Sequence, residues 1–260
     1  MGVPLERILA VDGSSTNDTA KEETGAVVVR HPRNMGYGAA VKTLMRAALA
    51  ADAQYAVLLD ADGQHDPTDI PKFLQALKSG ADHAAGNRFP HTEMPTIRRL
   101  GYKALALLYR ILIAKLNDPF NGYRAFSRKA LETLDQDFDP SYGVETEINY
   151  QLRKTKTAEI PTTIKYHEAS SKANPLLQGL NLLWSILWTA LTKRPTLTLT
   201  LGATSLIISI TLFIHTLTVF NATRYIRPTY TTLAILLEII GILLILIEAI
   251  ILPLRRQTIQ

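Results

Sequence analysis

The chain has 260 residues, a formal net charge of +5 and no cysteine. Without cysteine there is no disulfide, thiol nucleophile or cysteine-based zinc site. A basic excess this small, with no Lys/Arg block and no nucleic-acid module, gives no reason to expect a nucleic-acid partner and fits a membrane surface or anionic substrates.

In chain order, strand-like runs at 7–11 (RILAV), 26–31 (AVVVRH) and 55–60 (YAVLLD) alternate with helix-like stretches around Asp18–Glu23 and Gly38–Ala51. Alternation of this kind predicts βαβ units, an α/β class and a mostly parallel sheet, whose ligands bind at the carboxyl ends of the strands. Acidic motifs stand at two such ends: VDGSSTNDT (11–19) and DADGQHDP (60–67). Asp60 and Asp62 alternate, so a turn after the strand can aim both at one ion, and hard oxygen ligands suit Mg2+ or Mn2+ that keeps waters and diphosphate oxygens. His65 is read either as a further ligand or as a turn residue. Asp66 followed by Pro67 reads as the N-cap and first turn of a helix in DPTDIPKFLQALK.

Residues 97–116 form a basic amphipathic helix, with Arg99, Lys103 and Arg110 on one face and Leu100, Leu107, Leu108, Ile111 and Leu112 on the other. It is read either as docking on anionic lipid or as an ordinary surface helix. Residues 176–194 carry one thin polar stripe (Gln178, Asn181, Ser185, Thr189, Thr192) with Trp184 and Trp188, expected to lie along a membrane interface or to cross it. Composition changes near residue 195. Thr196–Phe220 is 25 residues without a formal charge, about 37 Å as a helix and enough to span the hydrocarbon core. A second apolar run, 231–252, carries Glu238 and Glu248. Together they predict a transmembrane hairpin. Lys193, Arg194, Arg255 and Arg256 at its two ends place those ends, and the preceding domain, on the cytoplasmic side. Glu238 falls near the depth of His215, which allows a contact between the helices, whereas Glu248 falls near the interface. No secretory signal follows Met1, so the expected location is the cell membrane, multi-pass, with a cytoplasmic catalytic domain.

Five motifs in order, VDGSSTNDT, RHPRNMGYGAAVKTLMRAAL, LLDADGQHDPTDIPKFL, AAGNRF and DPFNGYRAFSRKAL, resemble family 2 glycosyltransferases of the GT-A fold, and within them the polyprenyl-phosphate branch typified by dolichol phosphate mannose synthase. The resemblance covers about residues 5–172. It implies a GT-A nucleotide-diphospho-sugar transferase domain at 1–172, an interfacial helix at 173–195, and the transmembrane hairpin at 196–260. It also implies transfer of a hexose from a nucleotide diphosphate sugar to polyprenyl phosphate with inversion and with Mg2+ or Mn2+. Carried over by position, Asp12 contacts the nucleotide, Asp60 and Asp62 with Gln64 hold the metal and diphosphate, and Arg88, Arg98 (with Arg99 in register) and Arg124 hold phosphate. Asp62, Arg88 and Arg124 are the expected catalytic groups. Glu145 or Glu147 occupies the family's acidic position before a helix, with its role open, and SSK at 170–172 leads toward the membrane part. A phosphate monoester is largely dianionic near neutral pH, its second pKa being ~6, so such an acceptor needs cations and no general base. The competing expectations are a hydroxyl acceptor on a lipid or glycan, which would require a carboxylate base, and a noncatalytic membrane scaffold. Two departures stand out: Gly13 replaces the family's usual second Asp, and a preceding strand with a P-x-x-N-E type motif is expected before residue 7, so the domain reads as N-terminally truncated.

Overall fold

The computed structural model describes residues 7–11, 26–60, 63–89, 96–134, 143–163 and 175–257. It falls into two units, 1–186 and 187–260.

In the first unit, β1 (Arg7–Val11) pairs in parallel with β2 (Ala26–Arg30), Ile8 opposite Val27 and Ala10 opposite Val29. A second sheet has the order β3-β5-β4-β6, from β3 (Tyr55–Leu58), β4 (His83–Asn87), β5 (Arg124–Ser127) and β6 (Thr157–Pro161). β4 and β6 are parallel, as the alternating pattern predicts, but β5 runs against both β3 and β4. The sheet is therefore mixed. Strand direction leaves no trace in side-chain alternation, which has period 2 either way.

Helices α1 (Tyr37–Ala50), α2 (Ile70–Lys78), α3 (Thr96–Leu112), α4 (Arg128–Thr133) and α5 (Val144–Gln151) complete the domain. The two sides of β5 explain the layering. Phe126 joins Val41, Met45, Leu131 and Ile148 from α1, α4 and α5, while Tyr123 and Ala125 meet Phe73 and Leu77 of α2. Asp66 does cap the turn after β3. Its side chain accepts from Thr68 N at 3.0 Å and Oγ1 at 2.7 Å, and the first turn, Pro67–Asp69, is a 3-10 turn leading into α2. The α1 N-terminus follows Gly36, whose φ of 83° favours glycine and whose N–H donates to Asn34 Oδ1.

α6 (Pro175–Lys193) begins in this unit. Ile186 packs with Tyr109 and Ile113 of the α3 region, and Ser185 Oγ donates to Thr146 Oγ1 at 3.1 Å. Gln178 accepts from Arg98 at 3.2 Å. Part of the polar stripe thus faces protein, and Leu176, Leu177, Leu180 and Trp184 are the exposed side. On α3 the inward positions are Tyr102, Ala106 and Tyr109, and Leu100, Leu107 and Ile111 remain exposed.

The second unit contains α7 (Pro195–Thr223) and α8 (Pro228–Gln257). Pro195–Thr223 and Pro228–Ile250 are long and apolar enough to cross a membrane. They pack through small residues: a Cβ on Gly241 would lie 3.0 Å from Gly202 O and 2.8 Å from Leu206 Cγ, while Ser205 and Ser209 donate to Leu237 O and Ala234 O. The contact with His215 that the depth of Glu238 allows is not formed among the described residues. Glu238 is exposed, and the His215 ring meets Tyr230 edge-on at 5.2 Å, because Glu238 lies off the packed stripe that contains Ala234 and Gly241. Glu248 is buried.

Candidate active site

The loop between α3 and β5 organises the site, because successive residues of it serve three different partners. Asp118 binds Arg88, the Pro119 carbonyl binds Arg124, and Gly122 lies against Asp60. The loop is pinned from β6: Asn117 N and Nδ2 donate to the two carboxylate oxygens of Glu159 at 2.7 and 2.6 Å. Asn121 adds a link to Thr162.

Asp60 stands just past β3. A Cβ on Gly122 would lie 3.0 Å from Asp60 Oδ2 and 3.2 Å from the Tyr37 hydroxyl, so glycine is what lets these groups approach the loop. Tyr37, at the start of α1, leaves 45% of its surface exposed but hydrogen-bonds Glu145 through its hydroxyl. Burial of that hydroxyl, then the Glu145 and Asp60 carboxylates, push its pKa well above the ordinary phenol range. His65 Nδ1 accepts from Asp60 N–H at 3.1 Å and its ring stacks on Tyr123 at 5.0 Å, which gives it the bracing job of a turn residue. Gln64 is half-buried in the same turn. Asp12 and Asp62 lie outside the described residues.

Among the described residues, no three acidic or imidazole side chains gather round a common point. A Mg2+-type ion held by one or two carboxylates together with substrate phosphates and waters requires no such cage. The donor set offered after β3, a carboxylate and an amide oxygen, is all hard oxygen and fits such an ion.

Arg124 lies in the interior of the domain. It is fully buried, its Nη2 donates to Pro119 O at 2.8 Å, and its Nη1 bonds Asn149 Oδ1 and, at 3.3 Å, His83 Nε2. Its Nε is buried with no hydrogen-bond partner among the described residues. Desolvation pulls its pKa down, and Glu145, Tyr109, Tyr37 and Asp118 push it back up. A guanidinium sealed in this way braces β5, α5 and the loop rather than offering itself to a phosphate in solution. Glu147 is likewise buried and accepts from Gln151, which leaves Glu145 as the carboxylate nearer the site.

Arg88 and Arg98 share one aromatic neighbour, Tyr102. Arg88, just past β4, lies with Cζ 5.7 Å from the centroid of the Tyr102 ring, and Arg98, on α3, with Cζ 5.8 Å from the same centroid. Asp118, fully buried, accepts from Arg88 N at 3.0 Å and Nε at 2.7 Å. Among the described residues, Arg99 reaches the Phe89 carbonyl, at 3.4 Å.

Sequence reading gave no role to Tyr37, Tyr102, Asp118 or Gly122. Tyr102 was within reach of pattern reasoning, since it is four residues after Arg98 and so shares its helix face. Asp118 and Gly122 flank the PFN of DPFNGYR and read as ordinary turn residues; only the tertiary contacts distinguish them.

Comparison with known proteins agrees with this architecture. Residues 3–135 match the profile described as glycosyl transferase family 2. Glycosyltransferase AglJ of Haloferax volcanii is 31% identical over 182 residues, 66% of this chain and 59% of that protein. The undecaprenyl-phosphate mannosyltransferase of Micrococcus luteus is 28% identical over 181 residues, 64% of this chain and 74% of its own length. In three dimensions the chain resembles glucosyl-3-phosphoglycerate synthase from Mycobacterium tuberculosis, solved with Mn2+, uridine diphosphate and phosphoglyceric acid. There the TM-score is 0.51 at 22% identity, over 70% of this chain and 67% of that one. With an α/β core of this topology, an acidic turn after β3 and a profile match across half its length, the chain belongs to glycosyl transferase family 2.

Proposed function

We propose that the chain is a membrane-anchored, inverting glycosyltransferase that moves a hexose from a nucleotide diphosphate sugar to a polyprenyl phosphate. The observation that carries this reading is the convergence of Arg88 and Arg98 on the ring of Tyr102, with Asp118 anchoring Arg88, since guanidinium groups suit an anionic acceptor. The name of the Micrococcus luteus relative, an undecaprenyl-phosphate mannosyltransferase, supports the same acceptor class. Two helices of membrane-spanning length, with Lys193, Arg194, Arg255 and Arg256 at the ends of the hairpin, support an anchored enzyme whose domain faces the cytoplasm.

In this reading Arg88 and Arg98 hold the acceptor phosphate. One of its oxygens forms a bond to the anomeric carbon as the bond from that carbon to the donor's diphosphate breaks. The nucleoside diphosphate leaves and the configuration inverts. No proton need be removed from a phosphate already ionised near pH 7. Asp12 would contact the nucleotide. Asp60 and Asp62, with Gln64, would hold Mg2+ or Mn2+, which when bound supplies charge neutralisation on the leaving diphosphate. Glu145, tied to the Tyr37 hydroxyl, keeps that hydroxyl directed into the site beside Asp60. Arg124 acts from inside, setting the loop that carries Asp118 and Gly122.

The test is incubation of the detergent-solubilised full chain with GDP-mannose, UDP-glucose or UDP-N-acetylglucosamine, Mn2+ and a short-chain polyprenyl phosphate, with mass analysis of the lipid product. A polyprenyl-phosphate monosaccharide is expected, suppressed by EDTA. Absence of lipid-linked sugar with every donor, or equal transfer to the matching polyprenol, would overturn the proposal.

A further inference from the structure

Two guanidinium groups that serve one anion carry like charges, and each long side chain has many rotamers to lose. The structure shows what could offset both costs. Tyr102 is 9% exposed, and the two arginine Cζ atoms lie at nearly equal distances from its centroid, 5.7 and 5.8 Å. Within about 6 Å, the ring quadrupole attracts each cation. The ring is itself braced, tilted on Phe120 at 6.4 Å, which in turn meets Tyr109 edge-on at 5.8 Å. Asp118 is 0% exposed and spends one oxygen on both the backbone N–H and the Nε–H of Arg88, while its Oδ1 has no hydrogen-bond partner among the described residues. A sealed carboxylate with an idle oxygen is costly for stability alone. It does fix Arg88 at two points, main chain and guanidinium. Asp118 and Phe120 belong to the same loop, pinned by Glu159.

We infer that Tyr102 and Asp118 are positioning residues for the acceptor site. Tyr102 is the aromatic platform that brings Arg88 and Arg98 to one phosphate, and Asp118 is the buried anchor that orients Arg88. The inference rests on the reading of Arg88 and Arg98 as acceptor-phosphate ligands, and the experiment separates the two.

Dissociation constants for farnesyl phosphate, with farnesol as the uncharged control, are measured on the full chain in detergent. The variants are Arg88→Ala, Arg98→Ala, Tyr102→Leu, Tyr102→Phe and Asp118→Asn, with a thermal midpoint for each. Tyr102→Leu keeps an apolar side chain but removes the π face, so farnesyl phosphate should bind about tenfold more weakly and farnesol unchanged. Tyr102→Phe keeps the face and should restore binding to within about twofold. Asp118→Asn keeps shape but not charge and should also weaken phosphate binding severalfold. If the arginine variants lose phosphate affinity while Tyr102→Leu and Asp118→Asn do not, the positioning inference fails and the acceptor reading stands. Equal loss in Tyr102→Phe and Tyr102→Leu also overturns the platform role. If Arg88→Ala and Arg98→Ala bind farnesyl phosphate as well as the unaltered chain, both the acceptor reading and this inference fall. Should Tyr102→Leu not fold, Asp118→Asn decides the anchoring role, and Tyr102→Phe still decides whether the hydroxyl is dispensable.

Discussion

Arg124 and Arg88 belong to neighbouring strands of one sheet, and their surroundings differ in kind. Arg124 opens β5 in the interior, where a carbonyl, an amide and an imidazole bond its guanidinium. Arg88 follows β4 beside an aromatic ring with a second arginine on the same ring. Both carry the positive charge that a phosphate enzyme needs, but burial makes the first a structural ion, whose removal strands its acceptors. The largest expected effect tests this difference. Arg124→Ala should cost about 3–5 kcal/mol, since breaking a buried charged network leaves its partners unpaired, and lower the thermal midpoint by about 10 °C. Arg98→Ala, partly exposed, should cost under about 1 kcal/mol. A stable but inactive Arg124→Ala protein would return Arg124 to the ligands.

How far the sequence was readable divides along the same line. The strand–helix alternation from β2 to β3, the Asp66 cap and the two long apolar helices follow from local periodicity and turn chemistry, and they are present, whereas the helix expected around 18–23 lies outside the described residues. The direction of β5 is not a local property, and neither is the burial of Arg124, which depends on Asn149 from α5 and His83 from β4 arriving at the same point. Glu238 shows the same limit in the hairpin: depth along a helix can be read from spacing, but which face packs depends on Gly202 and Gly241 meeting. Motif resemblance picked out Arg88 and Arg98, and the shared face of Arg98 and Tyr102 was available from i,i+4 spacing.

The second effect tests the loop that links the two arginine environments. A Cβ on Gly86 would lie 2.7 Å from Asn121 Nδ2 and 3.1 Å from the Tyr123 carbonyl. The backbone contact cannot yield easily, so Gly86→Ala should cost about 1–3 kcal/mol by overpacking. It should also displace the loop holding both Asp118 and Pro119, weakening phosphate binding as well as stability. Loss of stability alone would mean that the two environments are less coupled than their shared loop suggests.

A third effect is smaller and depends on pH. His83 is fully buried; desolvation, and then the Arg124 charge, lower its pKa well below the ordinary 6.5. The unfolded chain takes up a proton near pH 6.5 and the folded chain does not. Stability is therefore full above that pH and falls as pH drops below it, by at most about 1.4 kcal/mol per unit, until the folded pKa is reached. Asp82, whose pKa is lowered, contributes in a more acidic window, so thermal midpoints between pH 7 and 5 isolate the histidine contribution. His83→Asn, which can still accept from Arg124, should flatten that part of the curve. An unchanged slope would assign the pH dependence to other groups.

The smallest effect falls on the Asp60 side of the site. Tyr37→Phe removes the hydrogen bond to Glu145 while keeping the ring, at about 1 kcal/mol in stability. Because that hydroxyl is close to Asp60 and to the point where Gly122 admits the carboxylate, donor affinity should weaken severalfold, with the affinity for farnesyl phosphate unchanged. The opposite result, a shift in acceptor binding with donor binding intact, would place Tyr37 with Arg88 and Arg98 and make the loop 117–123 one continuous site instead of a divider between two.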